Sequence, residues 1–293
     1  MQIIKTLLLF VTLSSVANAK TWSESTNWVT EYLANGGKIE DITGLKKPDN
    51  WADLAEWDDM SAVAIQAGEL PTHFDWNDWY KLQPVRNQGS CGSCWNFSVT
   101  AVFESLVRIY HHPATQYDLA EQEGLSCSGA GSCGGGYFDA FDYMVSHGVG
   151  HESQFPYEAR DLKCKAIKPI AKLKEWKYIG SKFKRPTTEQ LKLAIWLYGP
   201  ISVDVNASFG SYSSGVFTGC SGGGTNHMVT IEGWTDDNKY SANGGGFWRM
   251  RNSWNDSWGD KGYMNIVYKS KNGANCNSIG NVAAYAILEK IEK

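Results

Sequence analysis

The chain has 293 residues, with 27 Lys+Arg against 31 Asp+Glu for a formal net charge of −4, and seven cysteines. At roughly 100 to 200 residues per domain this length builds one large domain or two ordinary ones, and 42% hydrophobic with 20% charged residues excludes wholesale disorder. Slight acidity without a block of Lys or Arg excludes binding to nucleic acid by phosphate neutralisation.

The chain opens with Lys5, an apolar run through Leu13, and Ala17-Asn18-Ala19. A basic start, a short apolar core and an A-x-A site predict a secretory signal over residues 1–19. The run falls short of the roughly 18 to 20 residues that span a bilayer, so a membrane anchor is not expected. In an oxidising compartment six of the seven cysteines are expected to pair, leaving one thiol over.

Residues 20–69 carry four Lys against ten Asp+Glu, so residues 70–293 are left with a net charge of +1. With Trp22, Trp28, Trp51 and Trp57 among its carboxylates, and Gly36-Gly37 and Pro48 interrupting helical stretches, residues 20–69 read as a short docking segment or a solvated acidic arm.

Beyond it, Trp95, Val99, Val102, Phe103, Leu106 and Val107 recur at a period near 3.6, predicting one long helix over residues 94–110. A second helix is expected over 137–147, stopping at Gly148. Thr187-x-x-Gln190 fits a capping box opening a third, which ends before Gly199-Pro200. Strands are then expected over 201–205, 228–231, 247–251, 263–268 and 283–288, separated by glycine-rich turns. Helices early and strands late predict an α+β protein with two lobes.

Gln88-Gly89-Ser90-Cys91-Gly92-Ser93-Cys94-Trp95 is a tight polar turn that delivers Cys94 to the head of the long helix, where free N–H groups favour an anion. There a thiol pKa can fall to roughly 3.5 to 7.5 beside an imidazolium. Cys91-x-x-Cys94 is also open to reading as a redox pair, half of a zinc site, or two disulfide cysteines. A nucleophilic thiol needs a base, and of six histidines only His227 opens an apolar, strand-like run out of a glycine-rich turn. His111 and His112 end the long helix, His147 precedes Gly148, and His73 and His151 lie in polar loops. Asn252, ahead of Ser253-Trp254, is placed to orient the imidazole beneath an indole cover, or is a turn residue.

Taken together, residues 88–97, Asn226-His227 and Arg251-Asn252-Ser253-Trp254 resemble the three active-site segments of the papain family of cysteine peptidases. Its signature is C-G-[SA]-C-[WY] with His and Asn about 130 to 150 residues downstream; here they follow Cys94 by 133 and 158 residues. The resemblance covers residue 70 to the end of the chain. It implies a two-lobe papain-like fold, with a helical lobe mainly over 76–175, a barrel-like β lobe mainly over 176–293, and the cleft between them. It further implies Cys94 as nucleophile, His227 as its acid–base partner, Asn252 as orienter, and Gln88 with the Cys94 N–H as oxyanion hole. Trp254 and Trp258 would shield the site on its leaving-group side. The implied disulfides are Cys91–Cys133, Cys127–Cys164 and Cys220–Cys276, with Cys94 left over. Gly135 and Gly136 would let a peptide backbone approach. Tyr137, Phe138, Asp204, Met228 and Asn281 would line the pocket for the side chain two residues before the scissile bond.

The expected activity is hydrolysis of peptide bonds through a thiolate–imidazolium pair and an acyl-enzyme, without cofactor or metal. An endopeptidase is expected because no insertion between Gln88 and Cys91, and no histidine-bearing loop after Cys127, blocks either end of the cleft. A peptide ligase or transpeptidase on the same site, or a silent peptide- or sugar-binding scaffold, are the alternatives. The expected partners are protein or peptide substrates and the chain's own acidic pro-segment (20–69) as intramolecular inhibitor, with no nucleic acid and no membrane after signal cleavage. The product is expected to be a monomer exported to an extracellular, periplasmic or lysosome-like compartment.

Three departures stand out. Asn96 takes a position that is usually small, and Asn96-Phe97-Ser98 forms a glycosylation sequon, as do Asn206-Ala207-Ser208 and Asn255-Asp256-Ser257. Asn255 replaces a glycine common after the tryptophan. Asp204 replaces a small apolar residue, and a buried carboxylate seeks a cation or a donor.

Overall fold

A computed structural model describes residues 28–60, 70–111, 117–182 and 184–289. The signal over residues 1–19, Trp22, the junction at 69–70 on its N-terminal side, and His112 lie outside the described residues. No helix among the described residues is long and apolar enough to cross a membrane.

The helices of seven or more residues are α1 (Trp28–Ala34), α2 (Cys94–His111), α3 (Glu121–Cys127), α4 (Ala140–Ser146) and α5 (Thr188–Tyr198). The sheet strands are β1 (Trp57–Asp58), β2 (His73–Asp75), β3 (Leu173–Ile179), β4 (Ile201–Val205), β5 (Val216–Phe217), β6 (His227–Asp236), β7 (Gly246–Arg251), β8 (Tyr263–Val267) and β9 (Ala283–Leu288). They form one mixed sheet of nine strands in the order β1-β3-β9-β4-β6-β7-β8-β5, with β2 added to β6. Its end strands do not pair with each other, so the lobe expected as barrel-like is an open sheet within an α+β architecture.

The six apolar positions that predict α2 are all buried, because a 3.6-residue period turns them to one face. Thr187 Oγ1 accepts the N–H of Gln190, and the Gln190 side chain accepts the N–H of Thr187, forming the capping box of α5. Helix α4 begins at Ala140, three residues later than its sequence suggests, since Tyr137, Phe138 and Asp139 form only turns.

Two cores flank the sheet. One gathers α5 and the inner residues of β4, β6, β7 and β8; the other gathers α2, α4 and β3, together with Met228, Val282 and Ala284. The sheet therefore carries residues into both cores. At their junction Arg251, 3% exposed, lies 3.2 Å from Glu232 and donates to the carbonyls of Gln83 and Pro84. These bonds satisfy a guanidinium that would otherwise be buried at a cost of several kcal/mol.

Candidate active site

Cys94 is the first residue of α2 and is fully buried. The turn before it is anchored by a disulfide between Cys91 and Cys133, with two others joining Cys127 to Cys164 and Cys220 to Cys276. Cys94 is the free thiol.

His227 is the first residue of β6, and Asn252 directly follows the last residue of β7. Adjacent strands thus carry imidazole and amide to the same end of the sheet. His227 Nε2 lies 2.8 Å from Asn252 Oδ1, which also accepts the N–H of Ser253 at 2.9 Å. An oxygen that accepts twice places the ring proton on Nε2. Nδ1 is then a bare acceptor, buried and without a hydrogen-bond partner. That is the state a general base must hold. Trp254 stacks on the imidazole with ring centroids 4.7 Å apart, and Trp258 meets Trp254 edge-on at 5.3 Å.

Gln88 is fixed by bonds that cross between the cores. Its N–H donates to the Ser253 carbonyl, its Oε1 accepts from Ser253 Oγ at 2.6 Å, and its carbonyl accepts from the Tyr157 hydroxyl at 2.8 Å. One N–H of Nε2 donates to the Cys91 carbonyl at 2.9 Å. A carboxamide has two such hydrogens, so one remains for an oxyanion. For Ser253 and Tyr157 the sequence offers no signal beyond the adjacency of Ser253 to Asn252.

The N-terminal segment lies across this site. Val29, Leu33 and Ile39 pack over Gly210, whose carbonyl accepts from Trp258 Nε1 at 3.0 Å. The Ile42 carbonyl accepts from Trp254 Nε1 at 2.8 Å. Gly44 and Leu45 both donate to the Asn226 carbonyl, while Gly136 donates to Gly44 and accepts from Lys46, each at 2.9 Å. Leu45 thereby pairs in parallel with Gly136. The contact is so close that a β-carbon on Gly44 would fall 1.8 Å from the Gly92 carbonyl oxygen, so only glycine fits at 44. The segment then adds β1 in parallel to the edge of β3, and Glu56 pairs with Lys177 at 3.0 Å and Asp53 with Lys182.

Burial under this cover reverses the electrostatics expected of a helix-head thiol. Desolvation pushes Cys94 up to about 12, against the opposing N–H groups of Met228, Gly44, Trp95 and Cys94 itself. Burial likewise lowers His227 to about 4, opposed by its bond to Asn252. In the covered form the proton stays on sulfur and the imidazole is neutral. Of the other described histidines, His73 bonds to Thr235 and Asp78, His147 stacks on Tyr143, and His151 caps a short turn.

Among the residues expected to hold substrate, Gly135 and Gly136 pair with Gly131 and Ser132 and face the segment. Asp204 and Asn281 line a cavity beside it, together with Val282 and Thr225, which sequence reasoning missed. Met228 sits opposite Asp204 in the β4–β6 register and directs its N–H at Cys94. Tyr137 and Phe138 are buried against each other, with ring centroids 4.8 Å apart, and do not line that cavity. Their bulk fills the core behind it.

Asn96 is fully buried and donates to the Glu121 carbonyl at 2.7 Å, so its sequon is closed to a glycan in the folded protein. A β-carbon at Gly124 would meet Asn96 Oδ1 at 2.0 Å; a glycine on α3 is what admits the larger residue on α2. Asn255 has φ +68°, the left-handed conformation that explains the glycine it replaces.

Residues 70–287 match the sequence profile of the papain family cysteine proteases. The chain is 34% identical over 230 residues to a cathepsin L-like protein of Caenorhabditis elegans, covering 75% of this chain and 65% of that one. It is 36% identical over 236 residues to digestive cysteine proteinase 2 of Homarus americanus, covering 76% and 68%. The chain thus spans about two thirds of the length of these relatives. Among solved structures it is similar to the digestive procathepsin L2 proteinase of Tenebrio molitor larval midgut, with a TM-score of 0.74, 29% identity, and coverage of 90% of this chain and 89% of that one. With a free thiol heading α2, an imidazole and an amide hydrogen-bonded to each other from neighbouring strands, and a family match over most of its length, the chain belongs to the papain family of cysteine proteases.

Proposed function

We propose that the chain is the precursor of an exported cysteine endopeptidase that hydrolyses peptide bonds through Cys94, His227, Asn252 and Gln88. The observation that carries this reading is the buried, unpartnered Nδ1 of His227, with Nε2 held by Asn252. Cys94 Sγ attacks the peptide carbonyl carbon and its proton passes to Nδ1. The second N–H of Gln88 Nε2 and the N–H of Cys94 receive the developing oxyanion. The C–N bond then breaks, Nδ1 returns its proton to the departing amine, and an acyl-thioester remains. Water, deprotonated by the same Nδ1, attacks that thioester and frees the acid and the thiol.

Residues 20–69 act as a pro-segment that holds the enzyme silent until the chain is cut near Glu69-Leu70. In the covered form the segment directs the N–H of Gly44 at the sulfur. Three disulfides suit an oxidising destination.

The test is a peptide of about ten residues blocked at both ends, incubated with the folded protein after cutting ahead of Leu70. Internal cleavage to two fragments, seen by mass spectrometry, is the expected result. An untouched blocked peptide would contradict an endopeptidase.

A further inference from the structure

Between Lys172 and Arg185 the chain carries five Lys and one Arg against Glu175 alone, although residues 70–293 as a whole come to only +1. Strand β3 runs through this stretch, with Lys174, Lys182, Lys184 and Arg185 exposed and Lys177 half-buried. Like charges so gathered repel one another and favour an anionic partner. The body supplies little of one: Glu175 lies 3.7 Å from Lys177 and 3.9 Å from Lys174, and Glu289 lies 3.7 Å from Lys172.

In the covered form the N-terminal segment is that partner. Glu56 lies 3.0 Å from Lys177, and Asp53 pairs with Lys182. The segment's backbone extends the sheet, as the carbonyls of Glu56 and Asp58 accept from the N–H groups of Tyr178 and Gly180 at 2.9 and 2.7 Å. Trp57, tied by its indole N–H to the Ala52 carbonyl, packs on the Tyr178 ring with centroids 4.8 Å apart, and Trp51 meets the same ring at 5.9 Å. Asp58 Oδ2 accepts from the Tyr285 hydroxyl at 2.8 Å, and the Asp59 carbonyl accepts from the Gln190 side chain at 2.7 Å. A cation and a ring on β3, a hydroxyl on β9 and an amide on α5 thus receive the run Glu56-Trp57-Asp58-Asp59.

Once the segment is cut away, β3 becomes an edge strand. The N–H groups of Tyr178 and Gly180 are released, and Lys177 and Lys182 lose their partners on the segment. An open edge pairs with an extended chain that fits it. It stands three strands from β6, which carries His227, so edge and cleft are separate surfaces.

We propose that the β3 edge of the cut protein is a second docking site, apart from the cleft, which takes an extended acidic stretch of another protein with an aromatic residue among its carboxylates. The proposal rests on the reading above of residues 20–69 as a segment that is removed. A peptide is favoured over a sulfated polysaccharide or a nucleic acid because the edge offers backbone donors and an aromatic platform as well as charge.

The test uses folded full-length protein cut ahead of Leu70, separated from the segment by gel filtration and alkylated at Cys94 so that nothing is cleaved. Three fluorescent probes are compared by anisotropy: residues 49–60 in native order, the same residues scrambled, and the native order with every Asp and Glu replaced by its amide. The native probe should bind saturably and at least about tenfold more tightly than either control, since one control loses the ion pairs and the other the strand register. Lys177→Glu combined with Lys182→Glu should weaken the native probe by about tenfold or more, because two attractions become repulsions. Absence of saturable binding, unchanged binding in the double variant, or a scrambled probe as tight as the native one, the mark of a general polyanion surface, would overturn the proposal; the probe comparison decides it should the variant not fold. Hydrolysis of the blocked ten-residue peptide by the unalkylated cut protein is followed in parallel. Absent probe binding with hydrolysis intact sinks only the docking site, whereas intact binding without hydrolysis sinks only the peptidase reading.

Discussion

Cutting the folded chain ahead of Leu70 is expected to raise the rate at which iodoacetamide alkylates Cys94 roughly a thousand-fold at pH 6. With the thiol pushed up to about 12 under the segment, only about one molecule in a million carries thiolate at that pH. Uncovered at the head of α2 beside an imidazolium, such a thiol falls to roughly 3.5 to 7.5, a gain of about four and a half to six decades in thiolate. Nucleophilicity falls with pKa by about half a decade per unit, which leaves roughly three decades net. The pH dependence carries the sign. In the intact chain the thiol is buried and holds its proton throughout the neutral range, so alkylation should stay slow from pH 5 to 9. In the cut protein the rate should level off once pH exceeds the lowered pKa. Alkylation followed by intact mass reads both profiles. Equal rates for intact and cut protein across pH 4 to 7 would show that the segment does not cover a working thiol.

His227→Ala in the cut protein should lower kcat/KM for peptide hydrolysis by roughly ten-thousand-fold or more. The imidazole is placed to act twice, taking the thiol proton and protonating the leaving amine, and loss of a member of such a unit forfeits most of its effect. The same variant separates a chemical role from a structural one. Without the imidazolium beside it, the thiol loses the neighbour that lowers its pKa, so the alkylation profile should shift to higher pH while the protein stays folded. A variant within tenfold of wild type in hydrolysis would remove His227 from the mechanism.

Much of this architecture is visible in the sequence where one physical rule acts locally. The period of Trp95, Val99, Val102, Phe103, Leu106 and Val107 defines α2 because a single face of that helix is buried. Thr187 and Gln190 announce α5 because a capping box needs only two residues three apart. Strand β3 carries no such signal: Leu173-Lys174-Glu175-Trp176-Lys177-Tyr178-Ile179 buries residues 173, 176, 178 and 179, which breaks the alternation that marks a half-buried strand. Residues 137–139 read as helix because they are apolar, yet Tyr137 and Phe138 pack as turn residues against each other.

At the site, Cys94, His227 and Asn252 are legible from the chemistry of their residue types and their local settings, whereas the role of Gln88 is implied only by the family resemblance. What holds them is not legible, because those partners come from distant parts of the chain. Ser253 reaches Gln88 across 165 residues, and Asn96 has room only because residue 124 is glycine. The path of the segment is the clearest case. Its acidity is legible, but the close fit of Gly44 against Gly92 and the placing of Lys47 toward Asp204 follow from tertiary contacts alone. The thiol pKa follows from the same contacts, which is why the covered form opposes what a helix terminus by itself favours.

The most direct measurement is the intact mass of the cut protein after exposure to a thiol-directed epoxide, for wild type and Cys94→Ala. A single adduct on wild type, located at Cys94 and absent from the variant, is the result predicted for a nucleophile at the head of α2. An adduct that persists in Cys94→Ala would contradict it.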